Sequence, residues 1–399
     1  MDRTTDLELG GYNESSVAIS PVDPDIIAYA SLYEMRVSTD GGSTFGPAIQ
    51  PEWPPTHYAA GDPVVAFDAD GRLFWIYLGW TVYDRFLDVF LVQCDPTTGT
   101  VLPGYPTNLT ALSGLPGPDG HLHDKAWLAI DNWDGSPHRN NIYVAWTDFP
   151  SANSNTDVYF SRSTDQGMTW SAVPVVSSSE FTWPTHVAVA PNGDVYCAYH
   201  VMGDNWWNRG QVRLFRSTDG GVSLVQTAQP YAQGNAVVNL NIQTRTYPIP
   251  GAKFWMQGCF QPWVLPDPVT PGVVSVVVND DPDDYRWDDP GDVHLVRSTD
   301  SGATWSGVVR VDDGPGESHQ AMPAASIDRI TGNIAVTWYD NRSGAVNAQG
   351  DYLLDTFAAV SLDGGLTFEP DFQINDEAFD PDLGASCRLD CGDNHYGVW

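Results

Sequence analysis

Arg297-Ser298-Thr299-Asp300-Ser301-Gly302-Ala303-Thr304-Trp305 is one copy of a pattern that returns along the chain. Arg162-Ser163-Thr164-Asp165-Gln166-Gly167-Met168-Thr169-Trp170 is a second copy, and Ser38–Phe45, Arg216–Leu224 and Ser361–Phe368 are three more, with Leu224 in the aromatic slot. Cys94–Val101 is a decayed sixth. The Asp accepts hydrogen bonds from backbone N–H groups a few residues on and so closes a turn. The Gly two residues later allows positive φ. The Thr suits a strand, and the Trp or Phe leaves the turn as an apolar anchor. The segments before the copies run apolar, as in Val158-Tyr159-Phe160 and Val293-His294-Leu295-Val296. Each unit therefore reads as strand, tight turn and strand.

The Asp residues stand at 40, 95, 165, 219, 300 and 363, so successive copies lie 54 to 81 residues apart. All-β repeats of that length point to propeller blades rather than to a sandwich. The unit resembles the Asp-box, or BNR, repeat of sialidases and their relatives. That resemblance implies a β-propeller, with the box on the outer part of each blade and away from the central site. Asp40, Asp165, Asp219, Asp300 and Asp363 are accordingly expected to be structural.

The strands between the turns follow in order. Ser16–Ile19 and Ile26–Tyr29 begin the first blade, and Pro63–Phe67, Leu73–Tyr77 and Val89–Val92 form the second. Lys125–Ile130, Thr185–Ala190, Gln261–Leu265 and Met322–Ile327 open the next four. The expectation is an all-β fold in one domain over residues 1–399: a propeller of six complete four-stranded blades, with a seventh inner strand starting in Gly392–Trp399. Residues up to Leu9 could instead add a strand to the last blade.

The net charge is −33, and Lys125 and Lys253 are the two lysines among 18 basic residues. Such a surface repels nucleic acid and anionic membrane. No stretch is long and apolar enough to insert in a membrane, and the N-terminus has no apolar leader core. Fold, acidity and composition lead us to expect an extracellular or cell-surface protein whose leader lies outside this sequence. Five cysteines include Cys387 and Cys391, close enough in sequence to form a short disulfide loop, and no Cys-x-x-Cys pair suggests a zinc ribbon.

In a propeller the inner strands start at one mouth of the central channel, and polar residues recur there: Glu14, Asp62, His123 with Asp124 and Lys125, His186, Gln261, His319 with Gln320, and Asp393 with His395. Convergent polar groups in a pocket are the default ligand site. His121-Leu122-His123-Asp124-Lys125 combines a carboxylate, a lysine and two histidines, the histidines on one strand face, a set able to do acid–base work or hold a metal. The loop Asp280–Asp292 carries seven carboxylates. Asp281, Asp284 and Asp288 could bind calcium there, although EF-hand spacing is absent and a solvated acidic loop reads equally well. No cofactor is required.

Asp124-Lys125-Ala126-Trp127, Trp338-Tyr339-Asp340-Asn341-Arg342 and Gly392-Asp393 resemble stretches of bacterial sialidase-like Asp-box proteins. Sialidases of that family use three arginines, a Tyr–Glu pair and an Asp. The family's Arg-Ile-Pro stretch is absent here, and Arg342 is the nearest arginine candidate. Asp124, Glu14, Asp340 and Tyr339 are thus the candidate catalytic residues, and Lys125, His123, His186, Arg342, Asp62 and Gln320 the candidate substrate-binding ones. Two functions fit. One is a sialidase-like glycoside hydrolase or glycan-binding propeller, acting on a glycan or glycoprotein at the channel mouth. The other is a non-catalytic propeller serving protein binding or cell-surface homo- or hetero-assembly.

Overall fold

The computed structural model describes residues 14–51, 53–82, 86–112, 121–150, 156–177, 181–202, 211–230, 235–236, 254–255, 261–281, 291–315, 318–348, 350, 352–380 and 395–396. Apart from one short helical turn at Leu109–Leu112, the regular elements are strands. They form successive antiparallel meanders arranged as the blades of a β-propeller. Four meanders have four strands and open with the inner strands His57–Phe67, Leu122–Ile130, Phe181–Val189 and Gln320–Ile327. The first meander, opening at Ser15–Ile19, has three strands, with Ile49 joined to it only by a bridge to Met35. The meander that opens at Trp263–Pro266 gains Asn235–Ala236 beside its second strand.

This differs from six equal four-stranded blades. After the first repeat turn, Pro47 and Pro51 interrupt the chain where a fourth strand would pair. The segment expected to start a seventh blade is also placed differently. His395–Tyr396 pairs in parallel with Phe254–Trp255 rather than in an antiparallel meander. The N-terminal segment to Leu9 lies outside the described residues.

The core is laid in layers between neighbouring blades, because each meander must bury both faces. Val64, Ile76, Leu128 and Trp146 share one layer between the second and third meanders. Tyr196, Leu214, Val276 and Val296 share another, as do Leu295, Ile334, Val336 and Trp338.

All five repeat turns have one geometry. The Ser two residues before the Asp donates to its Oδ1 at 2.7–2.8 Å. The backbone N–H four residues after it donates to the same oxygen at 2.8–2.9 Å. The hydroxyl of that residue donates to Oδ2 at 2.6 Å. These donors hold Asp219, Asp300 and Asp363 down at about 2. Cys94–Val101 lacks the leading serine, and Asp95 there accepts from the Thr97 and Thr98 amides instead. The turns also clasp neighbours: Arg297 Nε donates to Gly364 O at 3.1 Å and Trp305 Nε1 to Ala228 O at 3.0 Å.

One end of the channel is bridged. The Arg329 guanidinium lies 4.2 Å from the Trp133 ring and donates to Asn132 O at 2.9 Å, joining the turns that follow two inner strands 197 residues apart in sequence. A cavity lies toward the opposite end, where the inner strands begin.

Candidate functional site at the open end of the channel

The inner strands break register at one level. Between Gly61 and Val64, Asp124 and Trp127, Thr182 and Thr185, and Ala321 and Ala324, two residues are unpaired with the neighbouring strand. These are Asp62-Pro63, Lys125-Ala126, Trp183-Pro184 and Met322-Pro323. A bulge re-aims side chains. Asp62, Lys125 and Met322 hold φ values of 49°, 49° and 54°, and Glu14 at the start of the first inner strand holds 59°. Left-handed backbone at non-glycine residues is strained and concentrates at functional sites. Here four such residues line one cavity of about 250 Å³, together with Trp127, Gln261, Trp263 and Tyr339 among others.

Asp62 is the hub. Its Oδ1 accepts from Lys125 Nζ at 3.0 Å and its Oδ2 from the Lys125 amide at 3.2 Å, while its own amide donates to Glu14 Oε2 at 2.8 Å. A Cβ on Gly61 would sit 2.5 Å from Glu14 Oε2, so glycine at 61, with φ +139°, is what lets that carboxyl approach. The Asp124 carboxyl interacts with Asp62 as well. Three carboxyls therefore face one ammonium. Burial, then the Asp62 charge, pushes Glu14 up to about 8. The same two causes, in the same order, push Asp124 up to about 7. Burial pulls on Lys125, but the carboxylates, Asp62 foremost, raise it and keep it charged. At neutral pH the site holds an Asp62–Lys125 ion pair beside two carboxyls able to carry protons, which is the arrangement a general acid needs.

The other wall is aromatic. Trp127 and Trp263 meet edge to face with ring centroids 5.1 Å apart. Both pack on His186, at 4.7 and 5.1 Å. His186 is buried, its Nδ1 accepts the Val264 amide at 3.3 Å, and burial lowers it to about 3, so it is a neutral prop behind the wall. Gln261 Nε2 and Trp263 Nε1 are buried without a hydrogen-bond partner.

Of the residues expected at the site, Glu14, Asp62, Lys125 and Tyr339 line the cavity, and Asp124 stays outside the lining but interacts with Asp62 and Lys125. His123, His186, Gln320, Asp340 and Arg342 do not line it. His123 Nδ1 accepts from Trp146 Nε1 at 3.1 Å, and His121 Nδ1 pairs with Asp148 Oδ2 at 2.7 Å, so the two histidines are turned to different structural partners. Gln320 Nε2 donates to Ser318 and to Asp340. Asp340 is fully buried and accepts from Trp338 Nε1, Gln320 Nε2 and Arg342. Arg342 is spent on Asp340 at 2.7 Å and Asp371 at 2.8 Å, over the Phe357 ring. Asp340 and Arg342 thus form a structural ion cluster. Burial raises the Tyr339 phenol, which stays protonated. Among the described residues no group of three His, Cys, Asp or Glu is arranged to hold a metal ion. Asp284 and Asp288, the side chain of Asp281, and Cys387 and Cys391 lie outside the described residues.

Gln261, Trp127, Trp263 and Met322 complete the wall, and only Gln261 among them is singled out by polarity. A local signal does exist: Asp62-Pro63, Trp183-Pro184, Gln261-Pro262 and Met322-Pro323 repeat X-Pro near the start of an inner strand.

No protein-family model matches the chain. It is 26% identical over 334 residues to the xyloglucanase Xgh74A of Acetivibrio thermocellus, a match that covers 75% of this chain and 33% of the relative. The chain thus spans about a third of the length of that curated relative. Among solved structures it is similar to the Hadza microbial sialidase Hz136, with TM-score 0.50 and 15% identity over 88% of this chain and 70% of that one. It is similar also to a PL25 ulvan lyase, with TM-score 0.51 and 12% identity over 93% and 88%. These structural likenesses carry the propeller fold.

Proposed function

We propose that this protein is an extracellular carbohydrate-active propeller, a glycoside hydrolase whose site is the cavity at the open channel mouth, built on a single ring of six blades. The observation that carries the reading is the group Glu14, Asp62 and Lys125, brought from three successive inner strands to one cavity beside two indoles, with Asp124 coupled to Asp62. Indole faces suit the C–H face of a sugar ring, and paired carboxyls suit glycosidic bond cleavage. Glu14 donates its proton to the leaving glycosidic oxygen as the anomeric C–O bond breaks. A water oxygen bonds to the anomeric carbon from the opposite face of the ring and releases its proton to solvent, while the Asp62 carboxylate, oriented by Lys125, faces the positive charge that develops there. No cofactor enters this chemistry. The similarity to a xyloglucanase supports a glycan as partner.

The test is a hydrolysis screen of the purified protein against polysaccharides and aryl glycosides, neutral and acidic, beside Glu14→Gln and Trp127→Ala. Release of sugar by the wild type and its loss in both variants is the expected result. If glycans are bound yet none is cleaved, the enzyme reading fails and a glycan-binding propeller remains. If none is bound, the protein-assembly reading replaces both.

A further inference from the structure

We infer that the cavity runs on into a cleft between the first and last meanders, where Thr337, Tyr339 and Thr356 form a second sugar subsite for the leaving-group side of a glycan chain. The inference rests on the glycan reading above and deepens it: the substrate is a chain of at least two linked rings, with the bond to be cut held at Glu14.

The first observation is how the second strands are covered. Those of the second and third meanders, Leu73–Thr81 and Ile142–Phe149, are buried on both faces along most of their length. The second strands of the first and last meanders are covered on one face. In Ile334–Asp340, Ile334, Val336 and Trp338 enter the core layer toward the preceding meander, while Thr337 and Tyr339 point the other way and are half-buried. In Ile27–Ser31, Ala28 and Ala30 pack toward the second meander, while Ile27 and Tyr29 are half-buried. The two half-buried faces look at each other. The Tyr339 and Tyr29 phenols interact electrostatically, and Ser15, Ser16, Thr337, Tyr339 and Thr356 line the same cavity as Glu14. The cavity is therefore continuous with the space between these meanders.

The second is the chemistry of the last meander's open face. Tyr339 and Thr356 are direct cross-strand neighbours, and Thr337 lies two residues along on the same side. Phe379 meets the Tyr339 ring edge to face at 5.3 Å, and the Thr356 amide donates to Asn375 Oδ1 at 2.7 Å, so later residues of the chain hold the patch in place. All three side chains are half-buried, within reach of a ligand, and each ends in a hydroxyl that both donates and accepts. Sugar hydroxyls need such mixed, uncharged partners. Glu14 immediately precedes Ser15–Ile19, the inner strand across the cleft from the patch. With one ring on the Trp127 and Trp263 indoles and the next on the hydroxyl patch, the bond joining them comes to Glu14, where its proton is needed.

Calorimetry at pH 7 on the whole chain carrying Glu14→Gln, which prevents turnover, tests the inference. The probes are cello-, xylo- and arabino-oligosaccharides of one, two and four rings, and the matching series from any other glycan that the screen above shows to be bound or cut. In at least one series two rings should bind about tenfold tighter than one. Adding Tyr339→Phe and Thr356→Val should shrink that step about fivefold. A merely structural role for the two residues would lower Tm and leave the step in place. If two rings bind no tighter than one, or the step survives both substitutions, the inference is overturned and the glycan reading stands, with the cleft left to another segment of this chain or to a partner. If no sugar of any series binds and the screen is silent too, both fall together.

Discussion

The Asp62 amide donates to Glu14 Oε2 at 2.8 Å, and this bond joins the left-handed residues of two adjacent inner strands across the channel mouth. It orients the Glu14 carboxyl while Asp62's own carboxylate turns to Lys125. The Glu14 carboxyl and the Asp62–Lys125 ion pair are thereby held side by side, with no described arginine in the cavity wall.

Glu14→Gln keeps an acceptor for the Asp62 amide and removes the acid. On any glycan the protein cleaves, kcat should fall about a hundredfold or more, and the loss of wild-type activity above pH about 8 should disappear. Stability should change in parallel. The folded pKa lies above the ordinary 4.5, so the native state holds a proton that the unfolded chain loses. That stabilisation is complete below pH 4.5 and is lost as pH rises through about 8. Thermal melts at pH 5 and pH 9 should therefore show a smaller drop for Glu14→Gln than for wild type.

Lys125→Met leaves the Asp62 carboxylate among Glu14 and Asp124 with no countercharge. Both partners of the pair are nearly buried, with side chains 13% and 11% exposed. Breaking such a pair from one side costs about 3 kcal/mol. Adding Asp62→Asn should restore most of it, which urea unfolding of the two single variants and the double variant would measure. An additive double variant would show that the pair is not coupled.

His186→Phe exchanges one ring behind the Trp127–Trp263 wall for another. At pH 7 the variant should be less stable by about 1–3 kcal/mol, because the buried Val264 amide loses its acceptor. The wild-type imidazole is depressed to about 3, so its contribution is present above the ordinary 6.5 and is lost as pH falls toward 3. Melts taken from pH 7 down to pH 4 should show the gap between variant and wild type closing.

Ser298→Ala tests the repeat turn. Ser298 is buried, and its hydroxyl accepts the Gly302 amide at 2.8 Å while donating to Asp300 at 2.8 Å. Its loss strands a buried N–H, at about 1–3 kcal/mol. Thr299→Ala, one residue on and exposed, should stay within about 0.5 kcal/mol of wild type. Neither should alter glycan binding, since the turn lies outside the cavity wall.

The turns and the inner strands were legible because their signals are local. An Asp, a Gly and an aromatic at fixed offsets specify a turn whose hydrogen bonds stay within a few residues. The starts of the inner strands follow from the spacing of those turns, and so Glu14, Asp62, Asp124 and Lys125 could be nominated together. Asp340 and Arg342 looked the same in sequence as those four. What separates them is Asp371, 29 residues beyond Arg342, which captures the guanidinium. His121 is likewise claimed by Asp148, from the neighbouring strand, and His123 by the Trp146 indole.

The sequence by itself determined a repeated turn chemistry, and with it a succession of β-meanders joined by fastened turns and opening on inner strands. Those features depend on short-range hydrogen bonds and on residue period, both of which a linear chain displays. Only the tertiary structure decided which polar residues share a cavity. That depends on bulges that turn Asp62, Lys125 and Met322 inward, on burial that lifts Glu14 and Asp124, and on ion pairs closed between strands far apart in sequence. Residue spacing does not display those fields and contacts, because they exist only once neighbouring meanders have packed together.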